Sequence, residues 1–500
     1  MRTVVGRSGW FAILLILFSV VGCSIQKNPV TGNTRAFGYS WQEEIQLGQE
    51  NDPQIVAQFG LYEDESLAGY VREIGDRMLV ESHLRRPEAE EQWKNTEFAF
   101  RVLDSPVINA FALPGGYIYF TRGILAHFNN EAQFAVVMGH EIGHVAARHA
   151  SQRALRQTLG QVAVVGGSIL GQEVLGLPGE SLMNLSSQAA QLLFLSYSRE
   201  NERESDRLGV EYAARSGYEA SEGSALFTTL KRISEKQGQS VPGFVSTHPD
   251  PGEREREIPE MSRQWEAEGY EQTERNQDEY MEMIDGIIFG ENPRNGIQEG
   301  DLFVHPDLAF QWDVPANWEL LNEPSRVVMV SPEQEAVTIM GMPPDADSPR
   351  ALVESFVQSE GITVTEQGEM DRSDGRQAWY AVADATLQDG TEVRLRLDAL
   401  SHNEAVLQFL SYTTSDQFDD WRSTFESISS SFQDLEDPEL LSVQPVRLHV
   451  NRANRNGTLA SFLPDELPMN IEPEDVAILN QMNLEDEVER GQWLKIPVQE

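Results

Sequence analysis

The sequence predicts a multidomain chain: a mainly α (α+β) unit with a short sheet, then an α+β unit, then a small mixed unit. Three observations carry this. The chain has 500 residues, enough for about two to four domains and a sizeable core. An apolar run from Glu131 to His149 reads as a buried helix. Asn292-Pro293 and Asn295-Gly296 then break the pattern between Gly290 and Gly300, and strand-like alternation follows.

The N-terminus reads as a targeting segment over residues 1–22. Arg2 and Arg7 precede an apolar run from Trp10 to Val21, too short to span a bilayer comfortably and right for a signal peptide. Val20-Val21-Gly22-Cys23 resembles the bacterial lipoprotein processing box, which implies that Cys23 is lipidated and becomes the first mature residue. It is the single cysteine, so no disulfide can form within the chain. Ser24 after it implies the outer membrane rather than the inner.

Helices are expected over Trp41–Gln49 and Leu67–Val80, and a strand over 97–104. Tyr117-Ile118-Tyr119-Phe120-Thr121 is rich in β-formers and follows Pro114-Gly115-Gly116, so it reads as a short strand. Two readings stand for Gly116, Tyr117, Ile118 and Tyr119: an edge strand that pairs with an extended peptide, or an ordinary covered strand.

His140-Glu141-Ile142-Gly143-His144 is the most informative stretch. Residues four apart on a helix share a face, so both imidazoles can point at one ion. Glu141 lies between them, placed to act as the base in hydrolysis at a zinc site. Gly139 and Gly143 weaken the helix unless another backbone approaches closely, a substrate strand or a second metal-bearing helix; tight helix packing explains them as well.

A third ligand is expected from the run Ser198 to Asp206. Glu202 and Asp206 are again four apart: one suits a carboxylate ligand, the other an acid that fixes a ligand histidine's tautomer. The competing reading is a solvated acidic face paired with Arg199, Arg203 and Arg207. His127 and His149 fall off the ligand face and are assigned to packing or outer contacts.

These motifs resemble metallopeptidase family forty-eight, the group of HtpX-, BepA- and CAAX-prenyl-protease-like zinc metalloendopeptidases. Asn28-Pro29-Val30-Thr31-Gly32, Asn109 to Tyr119, the acidic motif and Ser246-Thr247-His248-Pro249-Asp250-Pro251 carry the resemblance over residues 28–260. It implies a gluzincin-type domain over 23–290, with one zinc ion held by His140, His144 and Glu202. Glu141 would be the base and Asp206 a buttress. Ser205 stands where the family usually has Ala. The matching His248 can take the fourth zinc position in some relatives and close the site; a plain hydrogen-bonded loop histidine is the alternative.

Between the zinc motifs, Gln161–Leu170 and Gly176–Gly179 read as a small-residue apolar helix and a break, and Leu182–Leu195 as helical. Charged helical sequence runs from Glu253 to Glu279. Beyond the break no tetratricopeptide period appears. Strand-like runs at Val327–Val330, Ala336–Met340, Ala378–Thr386, Glu392–Leu400 and Glu404–Ser411 alternate with helical Pro349–Ser359 and Ser415–Ser431. Within residues 300–436, Phe310, Trp312, Pro315-Ala316-Asn317-Trp318 and a closing helix ending Ser430-Ser431-Phe432 resemble a PsbP-like α+β domain, which implies a binding module. Residues 443–500 resemble a βααβ LysM module, with Asn456-Gly457-Thr458-Leu459 where such modules carry Gly-Asp-Thr-Leu. The missing Asp leaves two roles open, peptidoglycan contact or packing.

The formal charge is −42, and Lys27, Lys94, Lys231, Lys236 and Lys495 are the only lysines. Such a surface repels nucleic acid and anionic headgroups, and argues for a saline habitat rather than a mechanism. The expected function is a lipid-anchored, periplasm-facing zinc metalloendopeptidase acting on misfolded or stalled envelope proteins in extended form. The alternatives are a chaperone-like outer-membrane assembly factor whose zinc site His248 keeps closed, and a cell-wall-associated zinc hydrolase.

Overall fold

The computed structural model describes residues 24–164, 197–237, 244, 248, 253–323, 326–343, 346–387, 391–468 and 470–499. Cys23, the targeting segment, the break at Gly176–Gly179, the helix expected over Leu182–Leu195 and most of Gln161–Leu170 lie outside the described residues.

The first unit opens with a hairpin, β1 (Ser24–Lys27) and β2 (Thr34–Phe37). Helix α1 (Trp41–Phe59) starts at a reciprocal cap in which Ser40 and Glu43 satisfy each other's backbone N–H. It runs past the expected end at Gln49 and through Pro53. An interior proline costs about 3 kcal/mol. Tertiary contacts hold this one: Asp52 accepts from Arg101 at 2.6 Å and from Tyr119 Oη at 2.8 Å. Helix α2 (Glu65–Glu81) follows, capped by Asp64.

Strands β3 (Ala99–Leu103), β4 (Ala110–Leu113) and β5 (Tyr117–Thr121) form one sheet in the order β3–β5–β4. This corrects the edge-strand reading of Gly116, Tyr117, Ile118 and Tyr119. β5 is central, parallel to β3 and antiparallel to β4, so its backbone groups are used on both sides. The edges belong to β3, which Leu61 bridges at Leu103, and to β4.

Helices α3 (Arg122–His127), α4 (Glu131–Ala147), α5 (His149–Val164), α6 (Arg199–Arg215), α7 (Ser224–Gln237), α8 (Arg254–Ala267) and α9 (Gln277–Ile284) complete the unit. The charged run expected to be continuous from Glu253 to Glu279 is thus two helices. Gly269 ends the first with φ +99°, a left-handed turn that favours glycine. Every residue of α4 is buried, in a core that includes Phe120, Phe134 and Tyr280.

The second unit begins at Ile297, just before the expected boundary. A seven-stranded antiparallel sheet runs β12 (Thr363–Glu369), β13 (Ala378–Thr386), β14 (Glu392–His402), β15 (Ala405–Thr414), β11 (Ala336–Gly341), β10 (Arg326–Val330), β9 (Glu319–Glu323). A smaller sheet runs β16 (Gln433–Asp434), β8 (Phe310–Asp313), β7 (Leu302–His305), β6 (Ile297–Glu299). Helix α10 (Pro349–Val357) packs Val353 and Phe356 on one face of the larger sheet. Helix α11 (Phe418–Ser430) and Trp312 cover the other.

The third unit holds β17 (Arg447–Arg452), β18 (Gly457–Thr458), helix α12 (Pro473–Leu479), β19 (Glu487–Val488) and β20 (Trp493–Val498). Where the βααβ expectation places a first helix there is one 3₁₀ turn, Leu459–Phe462, because Pro464 and Pro468 shortly follow. This unit is docked, not free. Leu448, Val450 and Leu479 share the first unit's core, and Leu448 N–H donates to Ile287 O at 2.9 Å. Lys495, fully buried, donates to Ala126 O at 2.7 Å and Phe128 O at 3.0 Å, and burial holds its pKa well below the usual lysine range.

Replacing Lys495 with Met leaves those two carbonyls unpaired, at about 1–3 kcal/mol for each unsatisfied group. Calorimetry of Lys495→Met is therefore expected to show a lower Tm, and an unchanged Tm would mean the pin does not hold the units together.

Candidate metal centre

Helix α4 starts where the Asn130 side chain accepts from Gln133 N–H at 2.9 Å and ends at Arg148, whose φ of +60° is left-handed. Buried Arg148 pays back that strained turn through Glu44, Gln26 and Tyr39 O, tying the end of α4 to the N-terminal segment. His140 and His144 therefore sit one turn apart on a rigid, buried helix.

Helix α6 crosses α4 at two glycines. A Cβ on Gly209 would stand 2.7 Å from Val136 O and 2.9 Å from His140 N, and one on Gly139 would stand 3.0 Å from Gly209 Cα. Close packing and a second ligand-bearing helix are thus one explanation for Gly139; Gly143 likewise faces Leu208 and Ser205 of α6.

This contact brings Glu202 to the two histidines. His140 Nε2 and His144 Nε2 are 2.9 Å apart; Glu202 Oε2 is 3.5 Å from the first and Oε1 is 3.6 Å from the second. His248 adds Nδ1, 3.3 Å from both His140 Nε2 and Glu202 Oε2. All four residues are buried. A tetrahedral ion with bonds near 2.0–2.1 Å spaces its donors about 3.3–3.4 Å apart, so the donor set fits a metal ion. Glu202 Oε1 strengthens the fit, because it is buried with no hydrogen-bond partner.

Asp206 does what its spacing predicts: it accepts from His140 Nδ1 at 2.9 Å, leaving Nε2 for the ion. Arg254 is the residue sequence reasoning missed. Its buried guanidinium donates to Asp206 Oδ2 at 2.7 Å and Glu202 Oε2 at 2.5 Å. Among many arginines nothing in the sequence distinguishes it. Tyr197 was missed too; its ring lies 4.1 Å from that of His144.

Electrostatics follow from burial and charge. Burial opposes protonation of His140, but Asp206 and Glu202 outweigh it and raise its pKa to about 9. Burial holds His144 well below the usual range. Glu202 is held low by His248 and His140 against the opposing effect of burial. Burial pushes Glu141 up despite nearby His248 and His140; neither of its oxygens is hydrogen-bonded, and Oε1 lies 3.5 Å from His248 Nε2.

Residues 65–262 match Peptidase family M48. This stretch is an M48 peptidase domain. The beta-barrel assembly-enhancing protease of Escherichia coli (strain K12) is 29% identical over 232 residues, 45% of this chain and 45% of its own. The putative beta-barrel assembly-enhancing protease of Vibrio cholerae is 29% identical over 205 residues, 40% of each chain. Human mitochondrial metalloendopeptidase OMA1 is 26% identical over 268 residues, 49% of this chain and 47% of its own. The chain thus spans less than half the length of these curated relatives. Cyanobacterial PsbP from Synechocystis sp. PCC 6803 covers 28% of this chain and 95% of its own at 14% identity, with a TM-score of 0.23, too low to assign a shared fold.

If the M48 domain holds its ion with these donors, adding zinc to chelator-dialysed protein raises Tm. At a hundredfold excess over Kd the gain is about 2.7 kcal/mol. His144→Ala and Gly209→Ala are expected to lose that gain, the first by removing a donor and the second by parting the helices; an undiminished gain in both would contradict the site.

Proposed function

We propose that this chain is a zinc-dependent metalloendopeptidase of the bacterial envelope that cuts extended, misfolded or stalled polypeptides. One observation carries the reading: Glu141, fully buried with neither carboxylate oxygen hydrogen-bonded and Oε1 3.5 Å from His248 Nε2, stands beside the convergence of His140, His144 and Glu202. Imidazole and carboxylate donors suit zinc. A zinc ion held there would polarise the scissile carbonyl and acidify a water. Glu141 would act as the base for such a water and carry its proton to the leaving amine. Its raised proton affinity, caused by burial, suits a carboxyl that must hold a proton between the two transfers.

Strand β4 offers the substrate a backbone edge in place of Gly116 to Tyr119. Its free side and the residues before it point carbonyls at the site. Ile108 O accepts from Phe244 N–H at 3.0 Å, and Ala110 O lies 3.3 Å from His248 Nε2. An extended polypeptide pairing there would be recognised through its backbone, with little regard for sequence. Phe244 and His248, which occupy these carbonyls, must leave first.

That requirement favours one second reading, a chaperone-like assembly factor whose site His248 keeps shut. On either reading Cys23 supplies a lipid anchor and the third unit a contact surface for peptidoglycan.

Casein digestion separates the readings. Glu141→Gln is expected to retain zinc and lose about a hundredfold or more in rate. His248→Ala is expected to digest faster than wild type, whereas the chaperone reading requires no gain; full activity in Glu141→Gln would remove the proposed base.

A further inference from the structure

The two ligand histidines are supported differently on their outer sides. His140 Nδ1 meets a carboxylate directly, in Asp206. His144 Nδ1 instead meets another imidazole, His149 Nδ1, at 3.1 Å. The far nitrogen of that ring, His149 Nε2, lies 3.1 Å from Glu204 Oε2.

Hydrogen placement along this row is constrained. For His144 Nε2 to offer a lone pair to a cation, the ring's hydrogen must sit on Nδ1. A buried N–H needs an acceptor, and His149 Nδ1 is the ring nitrogen placed to accept it. His149 can accept there only if its own hydrogen is on Nε2, where the Glu204 carboxylate receives it. One acid thus sets the tautomer of two rings in series. Ser205 Oγ, 3.3 Å from His149 Nδ1, sits at the same joint.

The fold builds this row from two sides. The left-handed residue Arg148 ends α4 and turns the chain so that His149 opens α5 beneath His144. On α6, Glu202, Glu204 and Asp206 reach a donor position, His149 and His140 respectively. His149 is fully buried, while Glu204 is partly exposed, so the charged end of the row is the end that water can reach.

We propose that His149 and Glu204 are positioning residues that fix the cation-binding tautomer of His144, acting through a carboxylate–imidazole–imidazole row. This rests on the reading of His140, His144 and Glu202 as cation ligands. Groups that orient a ligating histidine contribute about 10- to 100-fold in metal affinity, which sets the size of the expected effect.

Zinc affinity of the full chain, measured by chelator competition, tests the proposal. His149→Phe fills the space without a ring nitrogen and is expected to bind zinc about 10- to 100-fold more weakly. His149→Asn puts an amide oxygen near the Nδ1 position and is expected to recover most of that loss. Glu204→Ala, at a partly exposed position, carries the test if His149→Phe fails to fold, and a loss of about tenfold is expected. In the cobalt-substituted protein, the exchange-protected ring N–H resonance of His144 is expected in wild type and His149→Asn and missing in His149→Phe. Zinc affinity unchanged in His149→Phe and Glu204→Ala, or as weak in His149→Asn as in His149→Phe, overturns the row while leaving the zinc site intact. A wild-type chain that binds no zinc overturns both.

Discussion

The contact between α4 and α6 is the constraint on which the rest depends. Glycine at 139 and 209 lets two helix backbones touch, and that approach sets Glu202 against His140 and His144. A methyl group at 209 would stand 2.7 Å from Val136 O and 2.9 Å from His140 N, closer than van der Waals contact, so the helices would have to part. The donor set is therefore a consequence of backbone packing, and the side chains inherit their geometry from it. Burial does the remaining work: it keeps water from the carboxylates of Glu141 and Glu202 and strengthens every charge interaction around them.

The acidic surplus of this chain separates into two populations. Most acids are surface groups that solvate the protein. Most of the buried ones pair with arginine: Glu44 with Arg148, Glu211 with Arg86, Asp206 and Glu202 with Arg254; Glu141, which no arginine reaches, is the exception at the site. A planar guanidinium can bridge two carboxylates with fixed directions, which a lysine cannot. Lys495 shows the contrast, since it is buried against carbonyls alone and joins two units instead of two charges.

Much of the site was legible because it is local. His140, Glu141 and His144 are one helix turn, and Glu202 with Asp206 are another; in each case the spacing alone fixes a shared face. The strands at Ala378–Thr386 and Glu392–His402 were legible for the same reason, through their composition and alternation. What failed was order and contact. The sequence of Tyr117–Thr121 says strand but not which neighbours it takes, and a parallel partner from 99–103 made it central. Arg254, Tyr197 and the partners of His149 became visible only when distant segments met. The third unit's docking was equally hidden, because nothing in the sequence around Leu448 and Val450 says that they fill the first unit's core.

Anomalous diffraction at the zinc edge, on crystals of the full chain, tests the central claim most directly. A single peak is expected within bonding distance of His140 Nε2, His144 Nε2 and a Glu202 oxygen. Zinc-loaded crystals in which that position is empty, or in which Glu202 stays turned to Arg254 with the ion bound elsewhere, would contradict it.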